Sequence, residues 1–303
     1  MGTEPPAPGD KNHYSLAEHT FSAPNLEPAL YIVATPIGNL GDITVRALET
    51  LAAASVIACE DTRVTATLTH RFSLKTPLIA YHEHNADKQR PKILETLAGG
   101  KAVALVSDAG TPLVSDPGFR LVRDVVAEGY KVIPIPGASA PLAGLVASGL
   151  PSDTILFAGF LPPKNGPKTR RLEELGQVPA TLIFFESPHR TAATLKLMRE
   201  ALGPDREAVV ARELTKRFET FERGTLAELA ERFEDRQVKG EIVVLVGPPK
   251  ARPEADAGDL DALLRAALAA MPVSGAAKTV ARATGLDRNA LYKRALELKA
   301  DDG

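Results

Sequence analysis

From Leu30 to Leu150, short apolar runs alternate with amphipathic stretches of helix length. Leu30 to Ala34, Ser55 to Cys59, Leu78 to Tyr81, Ala102 to Val106 and Lys131 to Ile135 have the length and branched apolar content of buried strands. Between them, Thr44 to Ala53, Lys88 to Ala98 and Pro117 to Glu128 place apolar residues at helical spacing. This alternation predicts an α/β fold whose first sheet is mostly parallel, with helices on its faces.

A second series follows. Thr154 to Phe160, Thr181 to Phe185, Ala208 to Ala211, Phe218 to Gly224 and Glu241 to Val246 read as strands. The helices among them are Lys168 to Leu175, His189 to Leu202 and Thr225 to Phe233. The pattern then turns wholly helical: Leu260 to Met271, Ser274 to Thr284, a turn at Gly285, and Asp287 to Lys299. The expected organisation is a disordered tail over 1–28, an N-terminal α/β domain over 29–150 and a C-terminal α/β domain over 151–249. A linker at 250–258 and a small helix-turn-helix-like module at 259–300 complete it.

Composition narrows the class. A chain of 303 residues, 44% hydrophobic and 24% charged, suits a globular enzyme, and no apolar stretch is long enough to cross a bilayer. The start, with Pro5, Pro6, Pro8 and Gly9, lacks the apolar core of a secretory signal. The single cysteine, Cys59, excludes an internal disulfide and a cysteine-cluster metal site, which fits a cytoplasmic location. A net charge of -2 argues against indiscriminate coating of nucleic acid. Local charge is different: from Ser274 to Lys299, Lys278, Arg282, Arg288, Lys293, Arg294 and Lys299 oppose only Asp287 and Glu297.

Small residues and acids gather where the apolar runs end. The loop Ser107-Asp108-Ala109-Gly110-Thr111-Pro112 follows one strand, and Thr35-Pro36-Ile37-Gly38-Asn39-Leu40-Gly41-Asp42 and Pro136-Gly137-Ala138-Ser139-Ala140 follow two others. Such turns bring bare backbone against a ligand at the carboxyl ends of parallel strands, so one shared crevice is expected. Gly38 and Gly41 do not form the G-x-G-x-x-G of a dinucleotide site. His82 and His84 alternate with Glu83 and Asn85 without a third ligand at metal spacing, so no metal is expected.

Taken with Glu60-Asp61-Thr62-Arg63, His82 to Asn85, Asp116-Pro117-Gly118 and Phe185-Glu186-Ser187-Pro188-His189-Arg190, these motifs resemble one family in order and spacing. It is the ribosomal RNA small subunit methyltransferase I family, a branch of the tetrapyrrole methylase superfamily. The likeness covers about residues 29 to 247, and the terminal module resembles that family's helix-turn-helix extension. It implies S-adenosylmethionine held between two α/β domains, a homodimer, and 2'-O-methylation of a cytidine in the decoding centre of 16S rRNA, free or in the small subunit. By resemblance, cofactor contacts fall on Pro36, Asp108, Ala109, Gly110, Val114, Ser139, Ala140, Glu186 and Ala211.

Transfer to a ribose hydroxyl requires positioning and removal of its proton. Asp61, His82 and Glu186 are the catalytic candidates, with Glu83 and His84 as alternatives at the same strand ends. RNA contacts are expected from Arg63, His84 and Asn85, from the Pro-rich loop carrying Lys164, Lys168, Arg170 and Arg171, and from Lys293 and Arg294. Lys216 and Arg217 extend that basic surface. A tetrapyrrole methylase of the same fold, or a noncatalytic RNA-binding assembly factor, are the competing readings.

Overall fold

The computed structural model describes residues 12–113, 118–249, 257–284 and 286–301. They divide into two compact units, Met1–Pro249 and Lys250–Gly303. The larger opens with an antiparallel hairpin, β1 (His13–Leu16) and β2 (His19–Ser22). This corrects the expected disordered tail for residues 12–28; residues 1–11 lie outside the described residues. Tyr14 is buried and stacks on Phe21 with ring centroids 5.5 Å apart, while the Ser15 amide donates to Phe72 O at 2.8 Å. Two aromatics on one face of a short hairpin supply the packing that the Pro-rich start obscures.

The first sheet follows in chain order: β3 (Ala29–Val33), α1 (Val45–Ala53), β4 (Val56–Cys59), α2 (Thr62–Arg71), β5 (Leu78–Ala80), α3 (Ala86–Ala98), β6 (Val103–Leu105), α4 (Phe119–Ala127), β7 (Lys131–Ile135) and α5 (Ala140–Val146). All pairings are parallel, in the order β5-β4-β6-β3-β7. Both faces of β3 are covered: Ala29, Tyr31 and Val33 enter one apolar cluster, Leu30 and Ile32 another. That is why the strand reads as a continuous apolar run. Cys59 is buried, and desolvation pushes its thiol pKa up, as suits a packed side chain.

The second sheet contains β8 (Ile155–Phe160), α6 (Asn165–Gly176), β9 (Thr181–Glu186), α7 (Thr191–Leu202), β10 (Glu207–Arg212), β11 (Thr220–Thr225), α8 (Leu226–Phe233) and β12 (Ile242–Val246). Its order is β11-β10-β12-β9-β8, with only β8 and β9 parallel. The N-terminus of α8 is fixed by a capping box in which the Thr225 and Glu228 side chains accept from each other's backbone amides. Helix α6 starts three residues before the expected Lys168, so most of the predicted Pro-rich loop is helical. Pro167 is tolerated because it sits in the first turn, where its missing amide costs no helical bond.

One face of the second sheet meets loops of the first. Ile37, Ala138 and Ala140 share an apolar cluster with Ile183, Ala211, Val243 and Leu245. This seam fixes the strand-end loops of the first sheet against the second.

The smaller unit has three helices, α9 (Ala257–Ala270), α10 (Val273–Thr284) and α11 (Arg288–Asp301), packed around Leu264, Ala277, Val280, Leu291, Ala295 and Leu298. The expected turn at Gly285 and linker residues 250–256 lie outside the described residues. Residues 257 and 258, also read as linker, belong to α9.

Candidate active site

The three strand-end loops are latched together. Thr35 and Gly110 exchange both backbone hydrogen bonds, at 2.9 and 3.0 Å, and the Thr35 hydroxyl donates to Ser107 O at 3.2 Å. The Thr111 hydroxyl reaches Ala138 O at 3.3 Å. Gly110 has φ +79, and a Cβ there would lie 3.2 Å from Ile37 Cγ2, so both conformation and space favour glycine. The expected shared crevice is therefore built from backbone contacts that small side chains permit.

Over the loops after β3 and β6 opens a cavity of about 550 Å³, within the usual range for small-molecule sites, while no residue of the Pro136 to Ala140 loop lines it. Pro36, Gly38, Ser107, Asp108 and Ala109 line it with Asp61 and Arg63, and Lys216 and Glu241 reach it from the second sheet. A second cavity of about 490 Å³ shares Asp61, Arg63 and Asp108 and adds Glu60, Thr62, Ala80, His82 and His84. The common wall carries two carboxylates and a guanidinium.

Asp61 caps α2, accepting the Arg63 amide at 2.8 Å, and its carboxylate takes the Arg63 guanidinium at 3.0 and 2.6 Å. The guanidinium lowers the Asp61 pKa to about 2, so Asp61 is ionised throughout the neutral range. Its amide donates to Asp108 Oδ1 at 3.0 Å, tying the ends of β4 and β6 together. His82 is half-buried with its ring edge-on to His84, centroids 6.1 Å apart, and its buried Nδ1 has no hydrogen-bond partner. An unpaired buried ring nitrogen is costly unless a ligand or water meets it.

Over residues 29–230 the sequence matches the family of Tetrapyrrole (Corrin/Porphyrin) Methylases, and over residues 254–299 the RsmI C-terminal HTH domain. A ribosomal RNA small subunit methyltransferase I of Mesorhizobium japonicum is 58% identical over 279 residues, covering 92% of this chain and 95% of the relative. The chain belongs to the ribosomal RNA small subunit methyltransferase I family. A relative of the same name from Erythrobacter litoralis is 54% identical, covering 93% of this chain and 99% of its own. The crystal structure of a cobalt precorrin-4 methyltransferase shares the fold at TM-score 0.55 and 20% identity, over 73% of this chain and 95% of that one.

Membership in the methyltransferase I family makes the chain a methyltransferase with S-adenosylmethionine as its cofactor. The site fits such a group: Gly38, Ser107 and Ala109 bring small side chains to the cavity wall, and Asp108 supplies a carboxylate that can meet a sulfonium cation. Of the residues that resemblance assigns to the cofactor, Pro36, Asp108 and Ala109 line the cavity, and Gly110 does not line it but is hydrogen-bonded to Thr35, which does. Ser139 is the N-cap residue of α5 and has no side-chain capping bond, while Ala140 and Ala211 lie in the seam. Val114 and the motif residues Asp116 and Pro117 lie outside the described residues.

Several expectations need correction. Glu186 is buried, and its carboxylate accepts from the Ser187 amide at 2.7 Å, Arg190 Nε at 2.9 Å and the Thr194 hydroxyl at 2.6 Å. Lys168 Nζ lies 3.6 Å away and donates to Thr194 at 2.8 Å. Both side chains are committed to holding α6 and α7 on β9, and Glu186 lines neither cavity, which removes Glu186 as a base and as a cofactor contact and Lys168 as an RNA contact. Asn85 is committed as well, accepting the His82 amide at 2.9 Å and donating to Ala80 O at 3.0 Å. Arg294 forks onto Asp261 at 2.9 and 2.6 Å and reaches Glu297 at 2.8 Å, so its guanidinium cross-links α9 and α11. Arg63, His84, Lys164, Arg170, Arg171 and Lys293 are exposed, Arg171 pairing with Glu174 at 3.1 Å.

From sequence, Lys216 is expected on a basic surface rather than in the cavity, and nothing marks Glu241. Both lie about 180 residues or more from the first of the loops they face, and no local spacing announces that meeting. Among the described residues, no group of three His, Cys, Asp or Glu could hold a metal, and no helix is long and apolar enough to cross a membrane.

Proposed function

We propose that the protein methylates the 2'-oxygen of a cytidine ribose in the decoding centre of 16S rRNA. The observation that carries this reading is the pair of adjoining cavities sharing the wall Asp61, Arg63 and Asp108. One suits the methyl donor and the other a single nucleotide placed beside it. The relatives' name specifies small-subunit ribosomal RNA. The cytidine and the ribose oxygen come from the resemblance.

The cofactor supplies an electrophilic methyl on a sulfonium. Pro36, Asp108, Ala109 and Gly110 bind it, with Val114, Ser139, Ala140 and Ala211 completing the contact set. Asp61, held anionic by Arg63, orients the acceptor, and His82, which lines the second cavity, takes the hydroxyl proton. Arg63 and His84 meet the neighbouring phosphates, and Lys164, Arg170, Arg171 and Lys293 widen the electrostatic footprint. The enzyme works in the cytoplasm as a homodimer, with domains at 29–150, 151–249 and 259–300.

The test is incubation with tritiated S-adenosylmethionine and small ribosomal subunits lacking their own modifications, followed by mapping of the label. Label on an alkali-resistant cytidine is the expected result. Absence of label on both subunits and free 16S rRNA, with cofactor still bound, would overturn the reading.

A further inference from the structure

Lys216 enters the cavity from the chain segment after β10, on the side opposite the Ser107 to Ala109 loop in sequence and sheet. Three observations show a built position rather than a stray surface lysine. Its aliphatic stem lies directly on Gly38, where a Cβ would come within 2.5 Å of Cγ and 2.7 Å of Cε. Its ammonium is held by Glu213 at 2.9 Å and Glu241 at 3.2 Å. The segment that presents it is strained: Glu213 and Thr215 both adopt left-handed backbone, at φ 54 and 66, and the Thr215 hydroxyl oxygen is buried without a partner. Left-handed backbone is unfavourable for residues that carry a Cβ, and such strain collects at functional sites.

The two carboxylates differ. Glu213 is caged, also accepting the Glu241 amide at 3.0 Å, and Lys216 lowers its pKa while its own is raised. The Glu241 side chain is 74% exposed and is free to swing into solvent. An ammonium has three donors, so Lys216 can keep Glu213 and offer the others to an anion in the cavity. Only 28% of the Lys216 side chain is exposed, too recessed for the phosphate backbone of a folded RNA, whereas Arg63 at the rim is 88% exposed.

We propose that Lys216 receives the carboxylate at the amino-acid end of S-adenosylmethionine, displacing Glu241 while Glu213 holds the ammonium in place. The proposal rests on the cavity being the cofactor site. It assigns Gly38 a role too: only a residue without a side chain lets the lysine stem cross the loop to reach the ligand.

Calorimetry with two probes tests this without turnover. S-Adenosylhomocysteine carries the carboxylate, and 5'-methylthioadenosine is the same nucleoside thioether without the amino-acid end. Lys216→Met should weaken S-adenosylhomocysteine about tenfold, as expected for a charge-assisted bond, and leave 5'-methylthioadenosine unchanged. Lys216→Arg should recover most of the loss, and Glu241→Gln should tighten S-adenosylhomocysteine by removing the competing anion. Unchanged S-adenosylhomocysteine affinity in Lys216→Met, or an equal loss for both probes, would overturn the role of Lys216. Failure of both probes to bind the wild-type protein would instead remove the cofactor site on which the proposal stands.

Discussion

Two charged clusters stand at strand ends in this protein, and their surroundings give them opposite roles. At the end of β4, Asp61 pairs with Arg63, whose side chain is 88% exposed, and both line open cavities. At the end of β9, the side chains of Glu186 and Lys168 are 1% and 3% exposed, and the Glu186 carboxylate is enclosed by four donors. In sequence the two motifs look alike, a carboxylate after an apolar run with a cation nearby. Burial separates them: a closed cluster has spent its hydrogen-bonding capacity on the fold, while an open one keeps capacity for a ligand.

The comparison breaks most sharply at Glu186. Glu186→Ala leaves Lys168 charged and buried without its counterion and should cost about 3–5 kcal/mol in denaturant unfolding. The double variant Lys168→Met with Glu186→Leu should recover much of that loss, because an apolar pair leaves no buried charge. If Glu186→Ala proved as stable as wild type yet lost cofactor affinity, the two clusters would be functionally alike.

Asp108 probes the open cluster. Asp108→Ala should weaken S-adenosylmethionine binding ten- to about a hundredfold in calorimetry, with little change in unfolding, since its carboxylate is exposed and its one described bond is to the Asp61 amide. Wild-type affinity would displace the cofactor from this cavity. Loss of stability matching that of Glu186→Ala would erase the distinction between the clusters.

A smaller effect is expected from removing residues 259–303. Filter binding to small subunits should weaken, and its salt slope should fall by about one for each phosphate no longer neutralised, while S-adenosylhomocysteine affinity stays unchanged. An unaltered slope would make the unit a packing element.

The smallest effect concerns pH. Asp61 has its pKa lowered to about 2 from 3.8, so the folded state favours the ionised form. That stabilisation is fully present above the ordinary carboxylate range and is lost as pH falls toward about 2. Asp61→Asn should therefore lower methylation without altering the shape of the activity profile between about pH 6 and 9. A limb that disappears with this substitution would show Asp61 titrating as the base.

The latched loops were legible because their signal is local. Apolar runs of strand length followed by Gly110, Gly137 and Asp108 announce both the parallel sheet and its crevice within a few residues of each other. The hairpin at His13 to Ser22 was not, since its stability comes from Tyr14 packing into a core assembled later in the chain. Arg294 and Asn85 misled for a related reason. Charge and polarity can be read from sequence, but whether Asp261 or the His82 amide has already claimed them cannot.

By itself the sequence determined most of the strand and helix order from Ala29 onward, the chemistry placed at each strand end, and membership in a methyltransferase family, because periodicity, turn residues and motif spacing are properties of neighbours along the chain. Tertiary structure alone decided which charges are closed and which are open, and it laid Lys216 over Gly38 and brought it with Glu241 into the cavity that Asp61 and Asp108 line. Desolvation and ion pairing depend on what surrounds a group in space, and for these residues the surroundings come from segments far apart in the chain.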